Sequence, residues 1–305
     1  MRTAIISHPF CRKHKMHDEH PECPKRLDAI SDRILASGLD IALTHLSAPK
    51  AEVAHIALAH DREHIDQVFD SIPTQGLAEL DGDTSLCRDS LKAIERAVGA
   101  GIMAVDEVLA GRLDAAFCSV RPPGHHASRN QSAGFCVFNN VAIAVAYAKQ
   151  QGVKRIAVLD IDVHHGDGTQ AIVKDSPDVL FCSLFQYPFY PNSEIENTET
   201  IINSPLPVAS DGNDLRALYS QQWLPKIRAF KPELIFISAG FDAHLEDEMG
   251  GLKFVESDYA WFTKEVATLS KELSCLGIIS YLEGGYDLSS LGRSVETHLR
   301  TLAEF

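Results

Sequence analysis

The chain is predicted to be an α/β protein built on a mostly parallel sheet, and three observations carry that prediction. Short apolar, β-branched runs recur along the 305 residues; longer stretches with amphipathic helical spacing separate them; and the runs are apolar at successive positions, as strands covered on both faces must be. The strands are expected at TAIIS (3–7), DAAFCSV (114–120), RIAVLDID (155–162), VLFCSLF (179–185), ELIFISAG (233–240) and LGIISYLEGG (276–285). Helical spacing covers 84–110, 139–151, 212–230, 257–273 and 288–303, and two or three further helices are expected within 20–70, forming a cap. No repeat, low-complexity tract or Gly/Ser linker interrupts the alternation, so residues 1–305 are expected to form a single domain.

Composition narrows the function classes. Hydrophobic residues make up 45% and charged residues 23%, ordinary for a globular protein. The opening MRTAIISHPF holds only a short apolar run, too short for a signal segment, and no later stretch approaches a membrane span. A cytoplasmic protein without a membrane partner is expected. The net charge of −14 opposes nucleic-acid binding and favours cationic ligands such as lysine tails or polyamines. Seven scattered cysteines, odd in number and without a C-x-x-C, indicate neither a disulfide framework nor a zinc knuckle; Cys136 and the others read as reduced packing residues.

In open parallel sheets, ligands gather outside the carboxyl ends of the strands. Four expected strand ends carry unusual residues there: RPPGHHAS, DIDVHHGDG, AGFDAH and EGGYD. If 156–164 stays extended, Asp160, Asp162 and His164 share one face while Ile161, Val163 and His165 share the other. Asp162 and His164 can then hold a divalent ion with Asp242 as third ligand, leaving a position open for water and substrate, as in catalytic sites. Zinc is the expected metal, although the oxygen-rich set also suits ferrous or cobalt ions. Either of His125 and His126 can shuttle a proton, with Asp160 and Asp167 placed to orient the two rings. Tyr286 follows Gly284 and Gly285 and can donate to a developing oxyanion. These parts specify metal-assisted hydrolysis of an amide.

Blander readings apply elsewhere. His165 faces away from the row and reads as structural. His8, His14, His17 and His20 read as a solvated loop, His55, His60 and His64 as surface residues, and LEDE (245–248) as a solvated turn.

The motifs HPECPKRL (20–27), RPPGHHA (121–127), GFCVFNNVAIA (134–144), LDIDVHHGDGTQ (159–170), SAGFDAH (238–244) and LEGGYDL (282–288) occur in the order found in one family. The chain resembles the zinc-dependent histone deacetylases, in particular the class II and bacterial deacetylase-like amidohydrolases. The resemblance implies the arginase/deacetylase-like fold with a central eight-stranded sheet, and one catalytic zinc on Asp162, His164 and Asp242. It implies His126 as general base and acid, His125 as its electrostatic partner, Tyr286 as carbonyl-polarising donor, and Asp160 and Asp167 as the partners of the two histidines. It also implies a structural potassium ion on Asp160, Asp162, His164, Ser183 and Leu184, and an acyl-lysine tunnel lined by Gly134, Phe135, Tyr190, Met249 and Gly284. The sequence departs from the family pattern at Cys23, usually arginine, and at YPNSE (190–194), which lacks the usual glycine after proline. Met249 stands where a polyamine-specific relative carries a glutamate.

The expected activity is removal of acetyl or related acyl groups from the lysine ε-amine of peptides or proteins. Hydrolysis of acetylpolyamines or other small amides is the enzymatic alternative, and a catalytically silent acyl-lysine-binding protein the alternative of another class. The binuclear arginase branch is disfavoured, because Ala243 and His244 follow Asp242 where that branch has a second aspartate.

Overall fold

The runs AAFC, IAVLD, LIFISA and IISYL become strands in which every residue is buried, so apolar side chains are required on both faces. The computed structural model describes residues 1–193 and 195–304. In chain order its elements are β1 (Thr3–Ser7), α1 (Lys25–Ala36), β2 (Thr44–Ser47), α2 (Val53–Ile56), α3 (Arg62–Asp70), β3 (Leu77–Glu79), β4 (Ser85–Cys87), α4 (Ser90–Leu109), β5 (Ala115–Cys118), α5 (Asn140–Gln150), β6 (Ile156–Asp160), α6 (Asp167–Val173), β7 (Val179–Gln186), β8 (Ile201–Leu206), α7 (Gly212–Leu218), α8 (Leu224–Phe230), β9 (Leu234–Ala239), α9 (Glu256–Glu272), β10 (Ile278–Leu282) and α10 (Leu288–Glu304). Eight strands form one parallel sheet in the order β2-β1-β5-β10-β9-β6-β7-β8; β3 and β4 pair separately as an antiparallel hairpin. Helices flank the sheet, giving the arginase/deacetylase-like architecture expected from the resemblance.

Several boundaries differ from the sequence reading, each for a physical reason. The helix expected from residue 84 begins at Ser90, because Ser85–Cys87 is strand β4 and the Ser90 hydroxyl accepts from Cys87 N (2.7 Å). The single helix expected over 212–230 is interrupted by a π turn at Tyr219–Trp223, which lets both rings enter the core; Trp223 Nε1 then donates to Ser204 Oγ (3.0 Å). The two outermost strands went unread: β2 is mostly exposed, and β8 carries Pro205, which an edge strand tolerates. Nor do residues 20–70 form a cap, since β2 joins the sheet edge and α1 packs against α10.

Candidate active site

Sequence order and spatial order part company at the middle of the sheet. After β5 the chain runs on to β6, β7 and β8, then returns to insert β9 and β10 between β6 and β5. The four loops with unusual residues therefore leave four adjacent parallel strands at the same edge, the position where open α/β sheets hold ligands.

Strand β6 ends at Asp160, and the expected extension to residue 164 does not occur. Asp160 Oδ1 accepts from Asp162 N (3.1 Å) and Asp162 Oδ1 from His164 N (2.9 Å), so side-chain turns replace the ladder. Asp160 thereby faces His125, while Asp162 and His164 turn toward Asp242. The ligand atoms of these last three residues lie within 4.8 Å of one another, all buried. His164 Nδ1 is 3.1 Å from Asp162 Oδ1 and 3.3 Å from Asp242 Oδ2. Backbone groups hold the remaining oxygens: Asp162 Oδ2 accepts from Gly284 N (2.8 Å), and Asp242 Oδ1 from Val163 N (2.9 Å). Gly284 is required here, since a Cβ would overlap Asp242 Oδ2. Asp242 Oδ2 makes no hydrogen bond of good geometry among the described residues.

Burial, and the charge of Asp162, push the Asp242 carboxyl up to about 7. Burial lowers the His164 ring, but the hydrogen bond with Asp162 and the nearness of Asp242 outweigh it and push it up to about 10. Two anionic oxygens and an imidazole nitrogen converging out of water, with one oxygen unsatisfied, form a donor set that fits a divalent cation.

Beside this cluster the rings of His125 and His126 lie 4.1 Å apart. His125 Nδ1 pairs with Asp160 Oδ2 (3.1 Å) and His126 Nδ1 with Asp167 Oδ1 (2.8 Å). Their charges diverge. Burial lowers His125, but Asp162 and Asp160 overcome that and hold it well above its ordinary value. Burial and the neighbouring His125 charge bring His126 down to about 4, the Asp167 bond offsetting only part. The two carboxylates thus favour the charged form of His125, whereas burial favours the neutral form of His126.

Tyr286 is half-buried, and its hydroxyl is kept protonated by burial and by the charge of Asp242. Together with His126, His164, Gly134, Phe135, Phe189, Tyr190 and Met249 it lines a cavity of about 310 Å³, with Asp83 and Glu248 contributing carboxylates. Gly134 (φ 54°) and Phe135 (φ 68°) are both left-handed. A side chain at Gly134 would collide with His126, and Phe135, in a conformation costly for a non-glycine residue, is held by Thr84 Oγ1 accepting from its N–H (3.0 Å). Asn192, where YPNSE lacks the family glycine, is left-handed (φ 56°), a conformation asparagine tolerates better than most side chains; Glu194 lies outside the described residues.

Residues 20–302 match the family model described as Histone deacetylase domain. The chain belongs to the histone deacetylase family. It is 37% identical over 311 residues to the uncharacterized protein slr0245 of Synechocystis sp., with 99% of both chains covered. It is 35% identical to Polyamine deacetylase HDAC10 of Homo sapiens, covering 99% of this chain and 48% of that one, and 34% identical to Histone deacetylase 14, chloroplastic, of Arabidopsis thaliana, covering 93% and 73%. Among solved structures, the HDA15 HD domain matches with a TM-score of 0.92 at 29% identity, covering 99% of this chain and 88% of that one. Membership places the chain among hydrolytic, generally metal-dependent deacetylases. No helix among the described residues is long and apolar enough to cross a membrane.

Several residues around the site were not among those expected from the sequence. Glu283, fully buried, accepts from Gly124 N (2.7 Å), His125 N (3.2 Å) and Ser238 Oγ (3.2 Å), joining the ends of β5, β9 and β10 behind the histidine pair. Phe189 stacks on His164 at 5.3 Å. His60 and His64, read as surface residues, are buried against Phe138, and His60 Nε2 accepts from Asn139 N (2.8 Å) where α5 begins. His14, read as solvated, is also buried and bonds Ser90 Oγ (2.8 Å). His165 is indeed structural, stacked on Phe185 and bonded to Ser193 and Gln170. Cys136 is buried, and no disulfide forms among the seven cysteines.

Proposed function

We propose that this chain is a zinc-dependent amidohydrolase that removes acetyl or related acyl groups from the ε-amine of lysine. The observation that carries the reading is the convergence of Asp162, His164 and Asp242 beside His126 and Tyr286, at a cavity walled by Gly134, Phe135, Tyr190 and Met249. Zinc held by those three ligands would supply Lewis-acid polarisation of the acyl carbonyl and lower the pKa of water at the site. His126, a free base oriented by Asp167, takes the proton from the attacking water as its oxygen bonds the carbonyl carbon. The Tyr286 hydroxyl donates to the carbonyl oxygen as that oxygen gains charge, and cationic His125 opposes the same charge from behind. On collapse the C–N bond breaks, His126 returns its proton to the departing amine, and a carboxylate is left. Phe135, Tyr190 and Phe189 confine the lysine methylenes by apolar burial, which keeps the amide aligned.

A potassium ion would fit beneath the site at Asp160, Asp162, His164, Ser183 and Leu184. Pairing of β6 with β7 sets Ser183 beside Asp160, and the buried Ser183 Oγ has no hydrogen-bond partner among the described residues. We read residues 1–305 as one catalytic domain acting in the cytoplasm.

A second reading, hydrolysis of acetylated small amines, is favoured by Asp83 and Glu248 in the cavity lining, which would meet a cationic chain, and by likeness to a relative named a polyamine deacetylase. Turnover of acyl-lysine peptides and acetylputrescine, with and without chelator, separates the two. Faster hydrolysis of the peptides, lost on chelation, is expected. Preference for acetylputrescine would reverse the ranking, and full activity in chelator would overturn the metal mechanism.

A further inference from the structure

Asp247 belongs to LEDE, the acidic run read from sequence as a solvated turn. Leu245, Glu246 and Glu248 are exposed, but Asp247 is only 4% exposed, and its carboxylate faces inward. Both oxygens are engaged by backbone donors. Oδ2 accepts from Tyr286 N (2.6 Å) and Asp287 N (3.0 Å), and Oδ1 accepts from Met249 N (3.0 Å). One side chain thus bridges two loops: the one that places Met249 in the cavity wall, and the one that carries Tyr286.

The Tyr286 loop needs such a tether. It follows Gly284 and Gly285, the latter at φ 120°, so its approach is built from the two most permissive residues available. Arg26 restrains the near side, donating to Gly285 O (2.6 Å) and Glu283 O (2.5 Å) with its guanidinium 4.9 Å from the Tyr286 ring centroid. Asp247 supplies the restraint on the amide side. Chemistry dictates the residue type, because N–H donors arrive at both oxygens and only a carboxylate accepts on both sides. An asparagine would turn its NH₂ toward one of them.

We propose that Asp247 is a positioning residue: it fixes the backbone of Tyr286, hence the aim of the hydroxyl into the cavity, and holds the Met249 wall in register with it. The inference rests on the reading of Tyr286 as the carbonyl donor.

A double-mutant cycle tests it, with kcat and KM on an acyl-lysine peptide measured for wild type, D247A, Y286F and D247A/Y286F, and with zinc content and thermal midpoint as controls. D247A is expected to lower kcat about 30- to 100-fold, with KM within about fivefold and zinc content near that of wild type. In the Y286F background the same substitution should cost less than about threefold, because the hydroxyl it aims is already gone. D247N is expected to fall in the same direction, and it carries the cycle if D247A does not fold. Equal losses in both backgrounds, or wild-type kcat in D247A, would sink the positioning role alone. Full activity of Y286F by itself would instead remove the donor reading, and this role with it.

Discussion

Glu22 and Asp242 are both carboxylates sealed from water, yet their surroundings are opposites. Glu22 sits in a closed cluster: Arg121 engages it through Nε and Nη2, Arg26 Nη1 reaches Oε1 at 3.2 Å, and the spare Arg121 Nη1 binds the carbonyls of Cys11 and His14 at 3.0 Å. Burial alone would raise its pKa, but the Arg121 and Arg26 charges bring it down to about 2. Asp242 sits in an open cluster with a second carboxylate, one imidazole and an unsatisfied oxygen. The chain supplies permanent guanidinium charge in the first case, and in the second only titratable imidazoles, whose protons a cation can replace. Buried charge is costly unless paired, so the closed cluster belongs to the fold and the open one to the chemistry.

The largest effect expected from that difference is on D242N. Loss of one anionic ligand should reduce zinc binding and turnover together, turnover by at least about 10⁴-fold, or about 5.5 kcal/mol. Stability should move the other way: metal-free D242N should unfold at the same temperature as metal-free wild type or higher, because a repelling carboxylate is gone, whereas added zinc should raise the midpoint of wild type only. Metal analysis, turnover and calorimetry check all three. A clearly lower midpoint for metal-free D242N would show that the open cluster also holds the fold together and would erase the contrast.

The closed cluster should respond in the opposite sense. E22A leaves two buried arginines without their shared partner, and a loss of about 3–5 kcal/mol is expected in urea unfolding. The protein that remains folded should still bind about one zinc per chain. A loss below about 1 kcal/mol would mean that the two guanidinium groups find water or other acceptors, and that the cluster is less closed than its geometry implies.

The two clusters were also unequally legible. Asp162, His164, Asp242, both histidines and Tyr286 stood out because each lies at the end of an apolar run, where a titratable residue is anomalous. Their convergence followed from the parallel-sheet rule, and the adjacency of β5, β10, β9 and β6 realises it. Alternation along an extended strand was the wrong reason for pairing Asp162 with His164, since their common direction comes from turns closed by Asp160 and Asp162 themselves. Glu283 carries the same signal, directly after IISYL, and was passed over; Glu22, Arg26 and Asp247 gave none. Apart from the local bonds of Asp247 to Met249 and of Glu22 to Arg26, the hydrogen-bond partners of these three side chains lie 39 or more residues away, and a charge in a polar segment looks solvated until the tertiary structure closes over it. His60 was misread for the same reason: Phe138, its packing partner, lies far along the chain.

The smallest predicted effect sharpens the contrast through two histidines. His164 is driven up to about 10 by carboxylates that form no arginine salt bridge among the described residues, whereas His14, 3.9 Å from Glu22, is held down to about 4 by burial and by Arg121, because the arginines already balance that carboxylate. In the unfolded chain His14 takes up a proton near its ordinary 6.5; in the folded protein it does so only near 4. The folded pKa is the lower one, so the stability His14 contributes is intact above about pH 6.5 and is lost progressively as pH falls toward 4. At pH 5.5 its share of the loss is about 1.4 kcal/mol. His60 and His298, brought down to about 3 and about 4, add losses of the same sign, which cancel when variants are compared. The drop in unfolding free energy between pH 7.5 and 5.5 should therefore be about 1.4 kcal/mol smaller in H14N than in wild type. An equal drop in both would mean that His14 accepts a proton inside the fold, and that the Glu22 cluster still has charge to spare for a further cation.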